Sequence, residues 1–534
     1  MMVCRTPRLL LLVTGLLLLG PPAGAQSIEA RRLDQLKAEA ARMVDARATM
    51  IQQGIDMLFS FGELGFQEFE TTRYLTGILR EHGFTIEENV AGLPTGWVAT
   101  WGSGQPVIAL GSDIDGIPQA SQKPGVPWHD PLVEGAPGHG EGHNTGMPLI
   151  VASALVLKEL MQRERIPGTL KIWPGVAEEV LGGKAFFVRA GVFRDVDAVI
   201  FAHVGNNLAT SWGAQGGTGL VSVEYTFTGE TAHAAGSPWA GRSALDAVEL
   251  TNTAWNFRRE HLRPQTRVHY VIRDGGDQPN VVPRSASVWY YLRETSYQRI
   301  KNLFDVGETI ARSAAAMTAT ELTGMRILGA AWPRHFSRPI AEAMQRNIQR
   351  VGLPAWDDND QQLARALQRQ MGDSSGRGLA VRLDSLQGDL PDSQNRGGGS
   401  DDIGDVSWVV PTVTLRYPSN IPAGPGHHWS AAVASATPIA HTGAVAGAKV
   451  VAMTTLDLLG TPALRDSAWA WFRTVQTKEQ QYVSFLRESD HPPIEMNADR
   501  MARFRPAMAP FYYDPTRFRT YLEQLGITYP MVRP

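Results

Sequence analysis

The sequence predicts an α/β fold in two parts: a larger domain around a central mixed sheet, interrupted by a smaller α+β domain whose sheet carries two helices on one face. Three observations predict it. Apolar strand-like runs alternate with helical patterns up to about residue 218. Period-two alternation replaces them between about residues 219 and 330. From about residue 331 to 460 the strand–helix alternation returns, as it would if the second domain were an insertion in the first.

Residues 27–61 read as one long amphipathic helix, with Leu33, Leu36, Ala40, Met43, Ile51, Ile55 and Leu58 at roughly helical spacing. "TTRYLTGILREHGF" reads as a second helix, ended by Gly83. "GWVATWGSG" and "PVIALGSDIDG" read as strands, the second closing on two aspartates. "GMPLIVASALVLKELMQRERIPG" is a helix, and "GTLKIWPGVAEE" and "VDAVIFAHVG" are buried strands. In the insertion, "GLVSVEYTFTGE", "TRVHYVIRDGG" and "ASVWYYLRE" are strands, accompanied by helices at "SALDAVELTNTAWNFRRE" and "SYQRIKNLFDVGETIARSAAAMT". The strand "TVTLRYP" and the helix "IAHTGAVAGAKVVAMTTLDLLG" then complete the first domain. Residues 373–402, rich in Gly, Ser and Asp, read as a surface loop or lid. Residues 461–534 form an extension whose "WAWF" and "FYYDP" predict that it packs back on the body.

A chain of 534 residues, 43% hydrophobic and 19% charged, is long enough for two cores. A net charge of −3 gives no basic footprint for nucleic acid. The N-terminus "MMVCRTPRLLLLVTGLLLLGPPAGAQ" places Arg5 and Arg8 before an apolar run and then the small-residue site Ala23-Gly24-Ala25. This predicts a secretory signal over residues 1–25, because the run is too short to span a bilayer. The expected location is secreted or periplasmic, with no membrane attachment after cleavage. Cys4, the single cysteine, would leave with the signal. The mature chain would then have only oxygen and nitrogen ligands for its chemistry.

Such ligands gather just beyond the strands. Glu141 and His143 lie in "GHGEGHNTG", Glu178 and Glu179 follow "TLKIWPGVA", His203 ends "VDAVIFAH", and His427 and His428 follow the late strand in "GPGHHWS". Open α/β sheets build their sites at the carboxyl ends of strands, so one sheet can bring these groups together. Histidines and carboxylates without a thiol suit a divalent metal, one or two ions of Zn²⁺ or Mn²⁺. "GHGEGHNTG" lacks the Gly-Lys-Ser/Thr of a phosphate loop, and "HGEGH" has the wrong order for a His-Glu-x-x-His zinc helix. Its glycines on either side of Glu141 let the backbone bend tightly around an ion. Singly, a Glu-Glu pair reads as a solvated turn and a double His in a Gly/Pro loop as surface. The ordered set points to a metal centre.

That order, with "GDVSWVVPTV", "GHHWS" and "AHTGAVAGAKV", resembles the M20 family of co-catalytic metallopeptidases over roughly residues 30–460. The family includes aminoacylases, carboxypeptidases, dipeptidases and amide hydrolases. The resemblance implies a catalytic domain over 27–218 and 331–460, and a lid or dimerisation domain over 219–330. It also implies a homodimer, or a heterodimer with a similar subunit. Glu141 would take the position of a metal-bridging Cys, followed by the ligands His143, Glu179, His203 and His427, with His428 as the fallback. Glu178 would be the general base and Asp115 would orient a ligand, while Asp113 stands where the dinuclear peptidases have His. His139 would be a neighbour of the site. His233 of the lid would reach the other subunit's active site and polarise the scissile carbonyl, and Asn280 and Arg293 would bind the substrate carboxylate.

The implied reaction is metal-assisted hydrolysis of the amide bond of an N-acyl or N-aroyl amino acid, p-aminobenzoyl-glutamate being the leading case. A planar guanidinium suits the substrate carboxylate, and His or Asn can stabilise a developing oxyanion. A metallo-dipeptidase or carboxypeptidase is the alternative enzyme. A non-catalytic binding subunit of a hetero-oligomeric hydrolase is the alternative from another class, since Glu141 departs from the bridging Cys.

Overall fold

The strand Val107–Asp113 lies at the centre of a seven-stranded sheet in the computed structural model, which describes residues 27–532. The expected leader therefore lies outside the described residues. The strands run in the order Thr85–Glu88, Trp97–Ser103, Gly168–Gly175, Val107–Asp113, Ala198–Gly205, Thr412–Pro418 and Ala209–Thr210. Gly168–Gly175, Val107–Asp113, Ala198–Gly205 and Thr412–Pro418 are mutually parallel, and antiparallel strands flank them on both sides. The sheet is mixed, as the strand–helix alternation predicts. Every residue of Val107–Asp113 is buried, as suits a parallel strand covered on both faces.

The helix Pro438–Gly460 packs on Gly146–Glu164, on Ala30–Asp45 and on the Thr412–Pro418 strand. Its almost wholly apolar surface is buried, each large side chain contributing about 1.5–3 kcal/mol over exposure. A proline at the first helical turn gives up an N–H that has no helical partner anyway. Residues 27–61 are two helices rather than one: Ala30–Asp45 and Ala48–Phe61. The chain leaves helical geometry at Arg47 (φ −104°, ψ 10°), so the apolar stripe can turn to follow the body.

Between the two parts of the larger domain in sequence, a second sheet runs in the order Glu321–Ala331, Gly219–Thr228, Ser285–Glu294 and Arg267–Asp274, all antiparallel. The helices Ala244–Arg258 and Tyr297–Thr318 cover one face, where Trp255 meets Tyr290. The strand Glu321–Ala331 is additional to those read from sequence. It slips register twice against its neighbour, which breaks the period-two signal. Residues 373–402 form no helix or strand and are mostly exposed, but Asp401 and Asp402 at their end are buried. The extension packs back through contacts such as Arg505 to Glu63 at 2.9 Å.

Candidate metal centre

The carboxyl ends of the four parallel strands supply Asp113, the turn after Gly175, His203 and the loop after Pro418 to one place. Asp115 organises it. Its Oδ1 accepts the N–H of Glu178 at 3.2 Å and its Oδ2 that of Glu179 at 3.1 Å, while its carbonyl accepts from Nδ1 of His143 at 3.1 Å. The turn Glu178–Val180 is flanked by Ala177 and Leu181 in the left-handed region (φ 52° and 53°), a strain of about 1–3 kcal/mol each for residues other than glycine. A side chain on Gly65 would press on Ala177, so the tight approach that supports this turn depends on that glycine. Gly142 has φ 101°, a conformation glycine alone adopts readily, and it sets Glu141 and His143 on the two sides of a sharp bend.

Side-chain atoms of Glu141, His143, Glu178 and Glu179 that could bind a metal lie within 4.8 Å of one another. The rings of His143 and His203 stand edge to face, their centroids 5.2 Å apart. Nε2 of His203 is 3.6 Å from Glu141, and Nε2 of His427 lies 3.1 Å from Glu141 and 3.2 Å from Glu179. Nδ1 of His143 donates to the Asp115 carbonyl, which leaves its Nε2 to the centre, while Nδ1 of His203 accepts from the Arg416 guanidinium beside the Val204 carbonyl and its Nε2 faces Glu141. Nε2 of His143 and Oε1 of Glu179 are buried with no hydrogen-bond partner. Orphaned buried ligand atoms within a cluster of carboxylates and imidazoles are what a divalent cation would satisfy, so these residues fit one.

The charges agree with that fit. Burial and then the Arg416 guanidinium push the His203 pKa down to about 3, which keeps the imidazole in its ligand form. Burial alone would raise Glu141, but its hydrogen bond from His427 and the neighbouring His143 and His203 hold it below the usual carboxylate range. Burial pushes Glu179 up to about 8. Burial, then Asp113 and Asp401, raises Glu178 well above an ordinary carboxyl group. The hydrogen bond to Glu141 raises His427 to about 9, so its imidazolium stands between two carboxylates as a cation would.

Of the residues read from sequence, Glu141, His143, Glu178, Glu179, His203 and His427 come together, with Asp115 behind them. His428 turns aside to cap the short helix Trp429–Ala432 through Ser430. His139 is a buried neighbour whose Nε2 faces the Leu58 carbonyl at 3.0 Å. Arg293 lines the polar cavity of about 240 Å³ beside the centre and donates to Ser400 at 3.1 Å. His233 and Asn280 do not line it. They lie beyond the far end of the lid sheet, where Thr228 pairs with Ser285, whereas Arg293 pairs with Leu220 at the near end. That is eight residues of strand, about 26 Å, so a chain's own His233 cannot reach its own centre.

Sequence reasoning missed a buried cationic layer beneath the centre. Nζ of Lys184 donates to Asp113 at 2.5 Å and also to Asp402, and its backbone N–H donates to Asp402 at 3.1 Å. Asp113 is therefore held by an ammonium group. Arg334, Arg416 and Asp401 line the polar cavity as well. The signal available for Lys184 was a lysine placed directly after Gly182-Gly183, where the backbone passes too close for side chains. For Asp401 and Asp402 it was an acidic pair closing a glycine run.

The peptidase dimerisation domain of the M20 family (M20_dimer) matches residues 216–318. A subunit of the p-aminobenzoyl-glutamate hydrolase of Escherichia coli (strain K12) is 32% identical over 432 residues, covering 76% of this chain and 88% of that protein. The Xaa-Arg dipeptidase of Mus musculus is 28% identical over 465 residues, 86% of this chain and 97% of that one. A solved structure described as an aminohydrolase from methicillin resistant Staphylococcus aureus shares the fold, with a TM-score of 0.53 at 19% identity over 79% of this chain and 100% of the other. Identity of 32% over most of both chains, with the dimerisation segment matched inside it, shows that the chain belongs to the M20 peptidase family and is a metal-dependent amide hydrolase.

Proposed function

We propose that the chain is an exported hydrolase of N-acyl or N-aroyl amino acids, p-aminobenzoyl-glutamate among them, that works with one or two Zn²⁺ or Mn²⁺ ions as a dimer. The observation that carries this reading is the convergence of Glu141, His143, Glu178, Glu179, His203 and His427 beside a cavity lined by Arg293. The name of the similar Escherichia coli protein supports the substrate class, and the N-terminal leader pattern supports export. The matched dimerisation segment supports a dimer, in which a second copy's lid would bring its His233 and Asn280 to this centre.

Glu141, His143, Glu179, His203 and His427 would hold the metal, which when bound supplies Lewis acidity to the carbonyl and to water. Glu178 takes the proton from the attacking water and returns it to the leaving amine. Its raised proton affinity is the property a base needs to keep a proton between two steps. Arg293 orients the substrate carboxylate through a charge-assisted pair, its guanidinium already fixed by Ser400 and the Tyr291 ring. The second reading, a metallo-dipeptidase, draws on the similarity to the Xaa-Arg dipeptidase. Elemental analysis of the purified full chain, with a hydrolysis panel of N-acyl amino acids and dipeptides, tests both. Release of free amino acid from p-aminobenzoyl-glutamate by metal-loaded protein is expected. Metal-loaded protein that cleaves dipeptides alone would favour the second reading, and one that binds N-acyl amino acids without cleaving them would identify a non-catalytic binding protein.

A further inference from the structure

The lid sheet has one face under its helices and one face that looks toward the catalytic sheet. Along Ser285–Glu294, Val288, Tyr290 and Leu292 are buried toward the first, so Trp289, Tyr291 and Arg293 point to the second. Trp289 and Tyr291 close a cavity of about 400 Å³ against Leu64, Ile117 and Met496. Its inner end is Glu179 and His427, which also line the polar cavity that holds Glu141 and Arg293. The two cavities meet at the metal-centre residues, one apolar and aromatic, the other charged.

The outer wall of the apolar cavity is the C-terminal extension, through Met496, Asn497 and Arg500. This stretch is fastened on both sides. Toward the lid, Glu495 pairs with Arg326 at 2.5 Å and Asp490 accepts the N–H of Ile327 at 3.2 Å. Toward the catalytic domain, Nδ2 of Asn497 donates to the Gly65 carbonyl at 3.1 Å, and Nε2 of Gln67 donates to the carbonyls of Ile494 and Met496 at 3.2 and 3.3 Å. Met496 is thereby held buried between lid and catalytic sheet, in line with the metal-centre residues.

We propose that the extension is a specificity element of the active site: with Trp289 and Tyr291 it builds the subsite for an aromatic acyl group, and the amino-acid carboxylate takes the Arg293 side. This rests on the amide-hydrolase reading above. The volume falls in the roughly 300–1,000 Å³ range of small-molecule pockets. Ring walls favour stacked or edge-on aromatic groups. A charged acyl group would lose hydration there and find charged partners only at the inner end, Glu179 and His427, and at the Arg500 rim.

The test is kcat/KM of the metal-loaded full chain on N-acetyl-, N-benzoyl- and N-naphthoyl-glutamate, for the parent and for Met496→Ala, Met496→Leu and Trp289→Leu. The parent is expected to prefer the benzoyl over the acetyl substrate. That ratio should fall about ten-fold in Met496→Ala and Trp289→Leu and hold in Met496→Leu, which keeps the bulk and serves as the folding control. Benzoate should also inhibit the first two variants about ten-fold less well than the parent. Ratios unchanged in both would overturn the subsite while leaving the hydrolase reading intact. A metal-loaded parent that cleaves none of the three would overturn both readings.

Discussion

The carboxylate of Asp115 accepts the backbone N–H of Glu178 at 3.2 Å and so fixes a turn that its own side-chain chemistry does not enter. The same carboxylate holds the N–H of Glu179, and the Asp115 carbonyl holds His143. One residue thus aims three groups at the centre. Replacing Asp115 with Asn puts an amide NH₂ against one of those N–H groups. Metal affinity should fall about 10- to 100-fold, as is usual when a partner behind a ligand is lost. Isothermal titration of the apo-protein with Zn²⁺ measures it, and an unchanged affinity would remove Asp115 from the positioning role.

Glu178 is buried, and its Oε2 lies 4.0 Å from Nε2 of His143. Glu178→Gln keeps the shape and removes the base. Turnover should fall by about 10²–10⁴, the usual contribution of a positioned base, while metal content by elemental analysis stays at the parent's value. A variant with most of its activity would assign proton transfer to another group.

Lys184 is fully buried and its ammonium serves two carboxylates, Asp113 and Asp402. Burial alone would discharge it, but those two carboxylates outweigh the cost and raise its pKa well above that of a free lysine. Lys184→Met would leave both acids unpaired in the interior, a loss of about 3–5 kcal/mol. Urea denaturation should show that loss, and Lys184→Met combined with Asp113→Asn and Asp402→Asn should recover part of it. No recovery would mean that the lysine acts through packing of its stem.

These cases show what was legible in the sequence. Glu178, Glu179 and His203 could be read because each ends or follows an apolar strand, and strand ends of a parallel sheet converge, whereas Arg293, on an antiparallel strand, came only from the family resemblance. Lys184 could not, because a charge opening a helix reads as solvated and nothing local announces two acids arriving from residues 113 and 402. Asp401 and Asp402 were hidden by composition, since a Gly-, Ser- and Asp-rich stretch reads as surface up to its last residue. The strand Glu321–Ala331 escaped because two register slips erase its alternation. The break at Arg47 escaped because the apolar spacing continues across it.

Glu141 faces both His203 and His427 where a thiolate is expected from the family resemblance. A carboxylate is the harder ligand, and thiolate is the softer one that favours Zn²⁺ over Mn²⁺. After equilibration with both ions, Glu141→Cys should raise the zinc-to-manganese occupancy ratio about ten-fold. An unchanged ratio, read by elemental analysis, would show that Glu141 is not a ligand.

Asp405 lies behind the centre with its Oδ2 on the N–H of Trp332 at 2.9 Å and its Oδ1 on the hydroxyl of Tyr482 at 2.7 Å. Burial raises its pKa from the usual 3.8 to about 7. Between those two values the folded chain keeps a proton that the unfolded chain has released. Folding therefore loses stability as pH rises through that window, by up to about 1.4 kcal/mol per unit. Asp405→Asn is neutral at every pH and escapes the loss. Its unfolding free energy relative to the parent should climb from pH 4 to pH 7 and level off above, as urea melts at half-unit steps would show. A difference flat across that range would mean that Asp405 is ionised in the folded protein, with Tyr482 and Trp332 enough to hold its charge.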